Sequence, residues 1–181
     1  MKILWLCNIA TSEINNEIGS PAAISGGWIG SALKPFNQID NLEIIYLFPN
    51  NKIVKGQIGN VKYFSFDKKW NSEKLETYFQ KILNIENPDI IHIWGTEFSH
   101  SLSMARICGK LNLINKVVVS IQGLVSQIYD VYTIGIDKLH TRLKTIRDFI
   151  KCDSIEKQRQ NFKKSGIREK QEKTSVFFFV K

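Results

Sequence analysis

Residues 88–100 read PDIIHIWGTEFSH. Pro88 and Asp89 lead into a continuous apolar run, DIIHIW, of the kind that forms a parallel strand covered on both faces. Gly95 then eases the exit from that strand. In the following segment, FSHSLSMARICGKLN (98–112), Phe98, Leu102, Ala105 and Gly109 recur at helical spacing, which predicts a helix packed on a sheet.

The same alternation extends in both directions. KILWLC (2–7), NLEIIYLF (41–48), IGNVKYFSF (58–66) and KVVVSI (116–121) read as strands. SEKLETYFQKIL (72–83) puts Leu75, Tyr78, Phe79 and Ile82 on one stripe, and Asn71 or Ser72 can cap it. Leu139, Leu143, Ile146 and Ile150 mark a helix in DKLHTRLKTIRDFIKC (137–152), and Asp153 with Glu156 resembles a capping box opening another, SIEKQRQNFKK. The expected fold is α/β: a Rossmann-like, doubly wound, mostly parallel sheet with ligands at the C-terminal ends of its strands. Residues 1–136 form the core of this reading, 137–166 are basic amphipathic helices of the same domain, and 167–181 are an irregular tail.

The chain has 181 residues, 43% of them hydrophobic, which is enough for one well-buried domain and argues against disorder. ILWLC is too short for a signal-peptide core, and no window approaches the roughly 20 apolar residues of a membrane span. Cys7, Cys108 and Cys152 are few and widely spaced, which suits reduced thiols in a cytoplasmic protein better than a disulfide framework or a zinc module. The net charge of +8 is uneven: residues 137–181 hold 13 Lys and Arg against 6 Asp and Glu, leaving a net of +1 for residues 1–136. Basic residues there are not interleaved with aromatics, so solvated helix faces are expected, with anionic lipid as a second option and no nucleic acid.

Three segments concentrate polar chemistry near strand ends. NIATSEINNEIGSPAAIS (8–25) is a long loop before GGWIG, where the N–H groups of Gly26 and Gly27 could approach an anion at a helix start; a flexible turn is the alternative. No GxGxxG or Walker A pattern is present. His92, Glu97 and His100 would need to converge to bind a metal, and no HExxH-like spacing supports that; otherwise His92 is a hydrogen-bonded core histidine and Glu97 a helix N-terminal acid. Ser120 and Ser126 lie outside any GxSxG elbow, and Gln122 is suited either to a ligand hydroxyl or to a turn.

Together MKILWLCN…SGGWIGSAL, PDIIHIWGTEFSHSLSMA and VVVSIQGLVS resemble the N-terminal domain of GT-B-fold retaining glycosyltransferases of the "group 1" type, over about residues 1–165. The resemblance implies a domain that binds a glycan or lipid-linked acceptor, a nucleotide-sugar donor held by a second domain, and no cofactor or metal. Gly26 and Gly27 would face the donor diphosphate, and Trp94, Glu97, His100 and Gln122 would line the acceptor side. In many members a histidine stands where this chain has Gln122; glutamine can position a hydroxyl but cannot exchange a proton near neutral pH. The donor domain should follow the basic helices, but the chain ends GIREKQEKTSVFFFVK, so a truncated or frame-altered chain, or a half-protein paired with a donor-domain chain, is expected. Cell-surface polysaccharide synthesis at the cytoplasmic membrane face would suit such an enzyme. The rival expectation is a non-catalytic Rossmann-like module docking on membrane or a protein partner through its basic helices.

Overall fold

The computed structural model describes residues 1–21, 27–36, 38–121, 123–142, 145–151 and 153–177. Six strands, β1 (Lys2–Leu6), β2 (Glu43–Asn50), β3 (Lys55–Ile58), β4 (Val61–Asp67), β5 (Ile90–Trp94) and β6 (Val117–Ser120), form one sheet in the order β3-β4-β2-β1-β5-β6. All neighbours are parallel except β3 and β4. The helices are α1 (Ser12–Glu17), α2 (Gly27–Phe36), α3 (Ser72–Glu86), α4 (Ser99–Lys110), α5 (Val125–Val131), α6 (Lys138–Arg142), α7 (Ile146–Lys151) and α8 (Ile155–Phe177). The α/β, Rossmann-like fold expected from the alternating pattern is therefore present.

Strand alternation divides the core into two layers. Leu4, Leu6, Ile45, Leu47, Ile91 and Ile93 pack with Phe79 and Ile82 of α3 and with Met104 and Ile107 of α4. Ile3, Trp5, Ile44 and Tyr46 face the opposite way, onto Ile14 of α1 and Ile29 and Leu33 of α2. Because β1 is buried on both faces, its sequence shows no polar alternation.

Four local differences from the sequence reading have identifiable causes. The long 8–25 segment contains α1, started by Thr11, whose hydroxyl accepts the Ile14 N–H at 3.3 Å. The stretch 58–66 is the turn and second strand of a hairpin: Gly59, at φ +57°, reverses the chain between Ile58 and Val61. The helix expected over 137–152 is two, because Thr145 and Asp148 form a reciprocal capping box, Thr145 N–H to Asp148 Oδ2 at 2.9 Å and Asp148 N–H to Thr145 Oγ1 at 3.2 Å. Its apolar stripe is exposed at Leu139, Ile146 and Ile150, and Leu143 lies outside the described residues.

The fourth difference is α8. Ser154, rather than Asp153, caps it through the Lys157 N–H at 3.2 Å, and the helix continues to Phe177 where an irregular tail was expected from 167. It crosses α5 so closely that a Cβ on Gly166 would stand 2.6 Å from the Ser126 Cα. It also packs against α4, so that α4 is covered by α3, the sheet and α8 and buries even Ser101 and Ser103. β6 is less covered than predicted: Val118 is 49% exposed.

Candidate functional site

The chain runs outward from β1 through β2 to β4 on one side, then returns to place β5 on β1's other side. Such a reversal opens a crevice at the C-terminal ends of the central strands. Those ends deliver Asn8 after β1, Trp94 as the last residue of β5 with Gly95 to Glu97 after it, and the start of α4.

Trp94 lies on the α2 side of the sheet. Its ring stacks on His92 with centroids 4.1 Å apart and meets Trp5 and Trp28 edge-on or tilted, both at 5.2 Å. Trp28 is 46% exposed, so part of this aromatic cluster faces solvent. His92 Nε2 and Ser120 Oγ are 2.7 Å apart, and burial lowers the His92 pKa, which keeps the imidazole neutral. His92 is thus the hydrogen-bonded histidine that one of its two sequence readings describes.

His100 lies on the other side. Phe98 stacks flat on its ring at 5.1 Å and 6°, and Phe66 leans on it at 5.2 Å. Burial first, and the Arg168 charge second, push the His100 pKa down to about 3, so the imidazole is neutral. Trp94 and His100 do not share a contact group; the sheet stands between their aromatic neighbours.

Glu97 sits between the two, in a turn that needs glycine at position 95. Gly95 has φ +92°, and a Cβ there would come within 2.9 Å of Glu97 Oε2 and 3.0 Å of the Phe98 ring. Arg168 of α8 donates from Nε to the Glu97 carbonyl at 2.9 Å and from Nη2 to Ser165 Oγ at 2.8 Å. Next to it, Glu169 accepts the Ser126 N–H at 3.0 Å. Ser126 is thereby engaged as an anchor for α8, with no geometry of a nucleophile. Glu172 is 1% exposed with both carboxylate oxygens lacking hydrogen bonds. Burial, with the Glu97 and Glu169 charges adding to it, raises its pKa to about 8.

Gly27 is the first residue of α2, with open space where a Cβ would stand, while Gly26 and Gln122 lie outside the described residues. Cys7 and Cys108 are buried thiols that burial pushes up to about 12, which leaves them unreactive; Cys152 lies outside the described residues. Among the described residues no group of three or more His, Cys, Asp or Glu could hold a metal ion, and no helix is long and apolar enough to cross a membrane.

The sequence reading missed Asp67 and Lys68, which follow the last apolar residue of β4, and Trp28, which follows Gly27. The strand-end rule applied to β4 as well as β5 would have found the first two. Arg168 and Glu172 gave no signal, because a charged run in a polar helix reads as solvated. The class that the fold and crevice define is a Rossmann-like α/β domain. Comparison with family models, curated proteins and solved structures finds no match for the chain.

Proposed function

We propose that this domain is the acceptor-binding half of a retaining, GT-B-type sugar transferase, presenting a glycan or lipid-linked acceptor to a nucleotide-sugar held by a separate donor-binding unit. The observation that carries this reading is the half-exposed Trp28 leaning on Trp94 at the C-terminal edge of the sheet. Aromatic faces suit the C–H faces of a sugar ring, and Glu97, in the turn after β5, stands at the same edge as a hydrogen-bonding group, while the buried His100 on the other side of the sheet takes no direct part. The open approach to Gly27 leaves room for a donor diphosphate at the first turn of α2. Most of the charge stabilisation in such a transfer comes from groups around that diphosphate, so this half supplies binding and orientation.

A titration of the chain with mono- and oligosaccharides and with lipid-linked sugars, followed on the indole N–H signals, tests it. The Trp28 and Trp94 signals are expected to shift saturably, and Trp28→Ala is expected to weaken binding about three- to tenfold, the value of one aromatic face. If none of these sugars moves either signal, the acceptor reading fails.

A second reading is favoured by a different observation. Ile134, Ile136, Leu139, Ile146 and Ile150 are all exposed, Ile146 to 82%, within a stretch that also carries Lys138, Arg142, Lys144, Arg147 and Lys151. Exposed apolar residues among cations suit docking on an anionic bilayer surface. Co-sedimentation with anionic vesicles is then expected, and neutralising Lys144, Arg147 and Lys151 together should weaken it roughly a hundredfold, at about 1 kcal/mol per charge. Equal sedimentation with zwitterionic and anionic vesicles would exclude this reading.

A further inference from the structure

One face of the sheet is left open toward β6. Val117 and Val119 pack into the layer of α3 and α4, so Val118 and Ser120 point to the opposite side, in register with His92 and Trp94 of β5. On that side α1 and α2 bury Trp5 and Tyr46 of the central strands, yet Val118 is 49% exposed, and Ile121, just past the strand, is 43% exposed. The layer of α1 and α2 therefore stops short of β6. Parallel sheets are normally covered on both faces, and β6 pairs with β5 in parallel.

The chain also carries the element that this face lacks. Ile146 and Ile150 stand one turn apart on α7, so they point the same way, and each is more than three-quarters exposed. Leu139 of α6 is exposed as well. A bare apolar stripe on a helix and a bare face on a parallel sheet are each incomplete, and each is what the other buries in a layered α/β domain.

We propose that a second copy of this chain supplies the cover: α7 of each copy seats Ile146 and Ile150 on Val118 and Ile121 of the other, in a twofold dimer. The symmetry makes the exchange reciprocal, so both faces of both copies close at once and the assembly stops at two. Charge favours this arrangement over a helix-to-helix pairing. Residues 137–152 hold five Lys and Arg against two Asp, a net of +3, and stripe-to-stripe contact would press two such segments together. Residues 1–136, which carry the sheet, have a net of only +1, so each basic segment meets a near-neutral surface instead. A buried aliphatic side chain removes on the order of 100 Å² from water, so the exposed parts of Val118, Ile121, Leu139, Ile146 and Ile150 in two copies bring together on the order of 600 Å² of apolar surface. Apolar atoms make up about three-fifths of an interface, which puts the whole near about 1,000 Å², the lower bound of a specific contact, and a dimer of micromolar strength is expected. The sugar-transfer reading uses neither α7 nor Val118, so the dimer stands or falls apart from it.

Sedimentation velocity of the full chain from micromolar to millimolar concentration, without vesicles, provides the test. A monomer–dimer equilibrium is expected. Val118→Glu and Ile146→Lys should each weaken it at least about tenfold, because each breaks both halves of a reciprocal interface. Both positions are exposed, so the fold is kept, and circular dichroism checks it. Mixing the two variants should give association about tenfold tighter than either alone: the mixed dimer keeps one intact half, and its other half sets the introduced carboxylate against the introduced ammonium. The proposal is overturned by a wild type that stays monomeric at millimolar concentration, as it would if α7 served a bilayer or its own sheet. It is equally overturned by a dimer that Val118→Glu leaves unchanged, the result of helix-to-helix pairing, by one that Ile146→Lys leaves unchanged, the result of pairing between β6 edges, or by variants that fail to restore each other.

Discussion

Glu172→Gln is expected to flatten the dependence of stability on pH. In the native protein Glu172 is buried beside the charges of Glu97 and Glu169, and its pKa is raised from 4.5 to about 8. Between those values the folded state holds a proton that the unfolded chain has released. Stability therefore is full below about pH 4.5, falls as pH rises toward about 8, and is level above it. A shift of this size corresponds to a loss of at most about 5 kcal/mol across the window, reduced by how easily the last turns of α8 open. Urea unfolding at pH 5 and at pH 9 measures it. The wild type should lose that stability between the two conditions, and Glu172→Gln should lose much less, being the more stable of the two at pH 9. Identical pH dependence in the two proteins would show that Glu172 is hydrated.

Phe79→Ala should cost more than any surface change, about 3–5 kcal/mol. Phe79 has no exposure, projects from α3 into the layer formed by Leu4, Leu6, Ile91 and Ile93, and meets Phe66 edge-to-face at 5.3 Å. The backbone around it is held by the Asn71 cap, which accepts the Lys74 N–H at 3.0 Å, and by the left-handed Asn87 that closes α3, so the cavity cannot collapse cheaply. Denaturant unfolding should show a lower midpoint with an unchanged slope. Because Phe66 also leans on His100, loosening of this layer should reach the start of α4, and the amide signals of Ser99 and His100 are expected to move in the variant.

The parallel sheet was readable in the chain because β1, β2 and β5 are unbroken apolar runs and α3 and α4 carry clean stripes with a recognisable cap. What escaped depended on contacts rather than pattern. β3, with KGQI, has almost no strand composition and exists because it pairs with β4, where Gly56 lets the Tyr63 ring lie across it. α8 hides its buried face because that face is made of Gly166, Glu169 and Glu172, residue types that read as solvent-facing. At the site, Trp94, Glu97 and His100 are rightly assigned to a strand's C-terminal end. Their spacing could not reveal that the strand sends Trp94 to one layer while the turn at Gly95 sends His100 to the other.

The position of β1 at the middle of the sheet has a consequence for synthesis. Lys2 donates its N–H to Asp89 Oδ2, a partner 87 positions later, and Ile3 pairs in register with Ile90. At roughly 5–20 residues per second, β1 leaves the ribosome about 5–20 s before β5 exists to cover its second edge. During that interval Ile3, Leu4, Trp5 and Leu6 form an apolar strand with one open side, while α1, α2 and the β3–β4 hairpin are already emerging. The central strand of the finished protein is thus its longest-waiting segment, and the one a nascent-chain chaperone would be expected to hold.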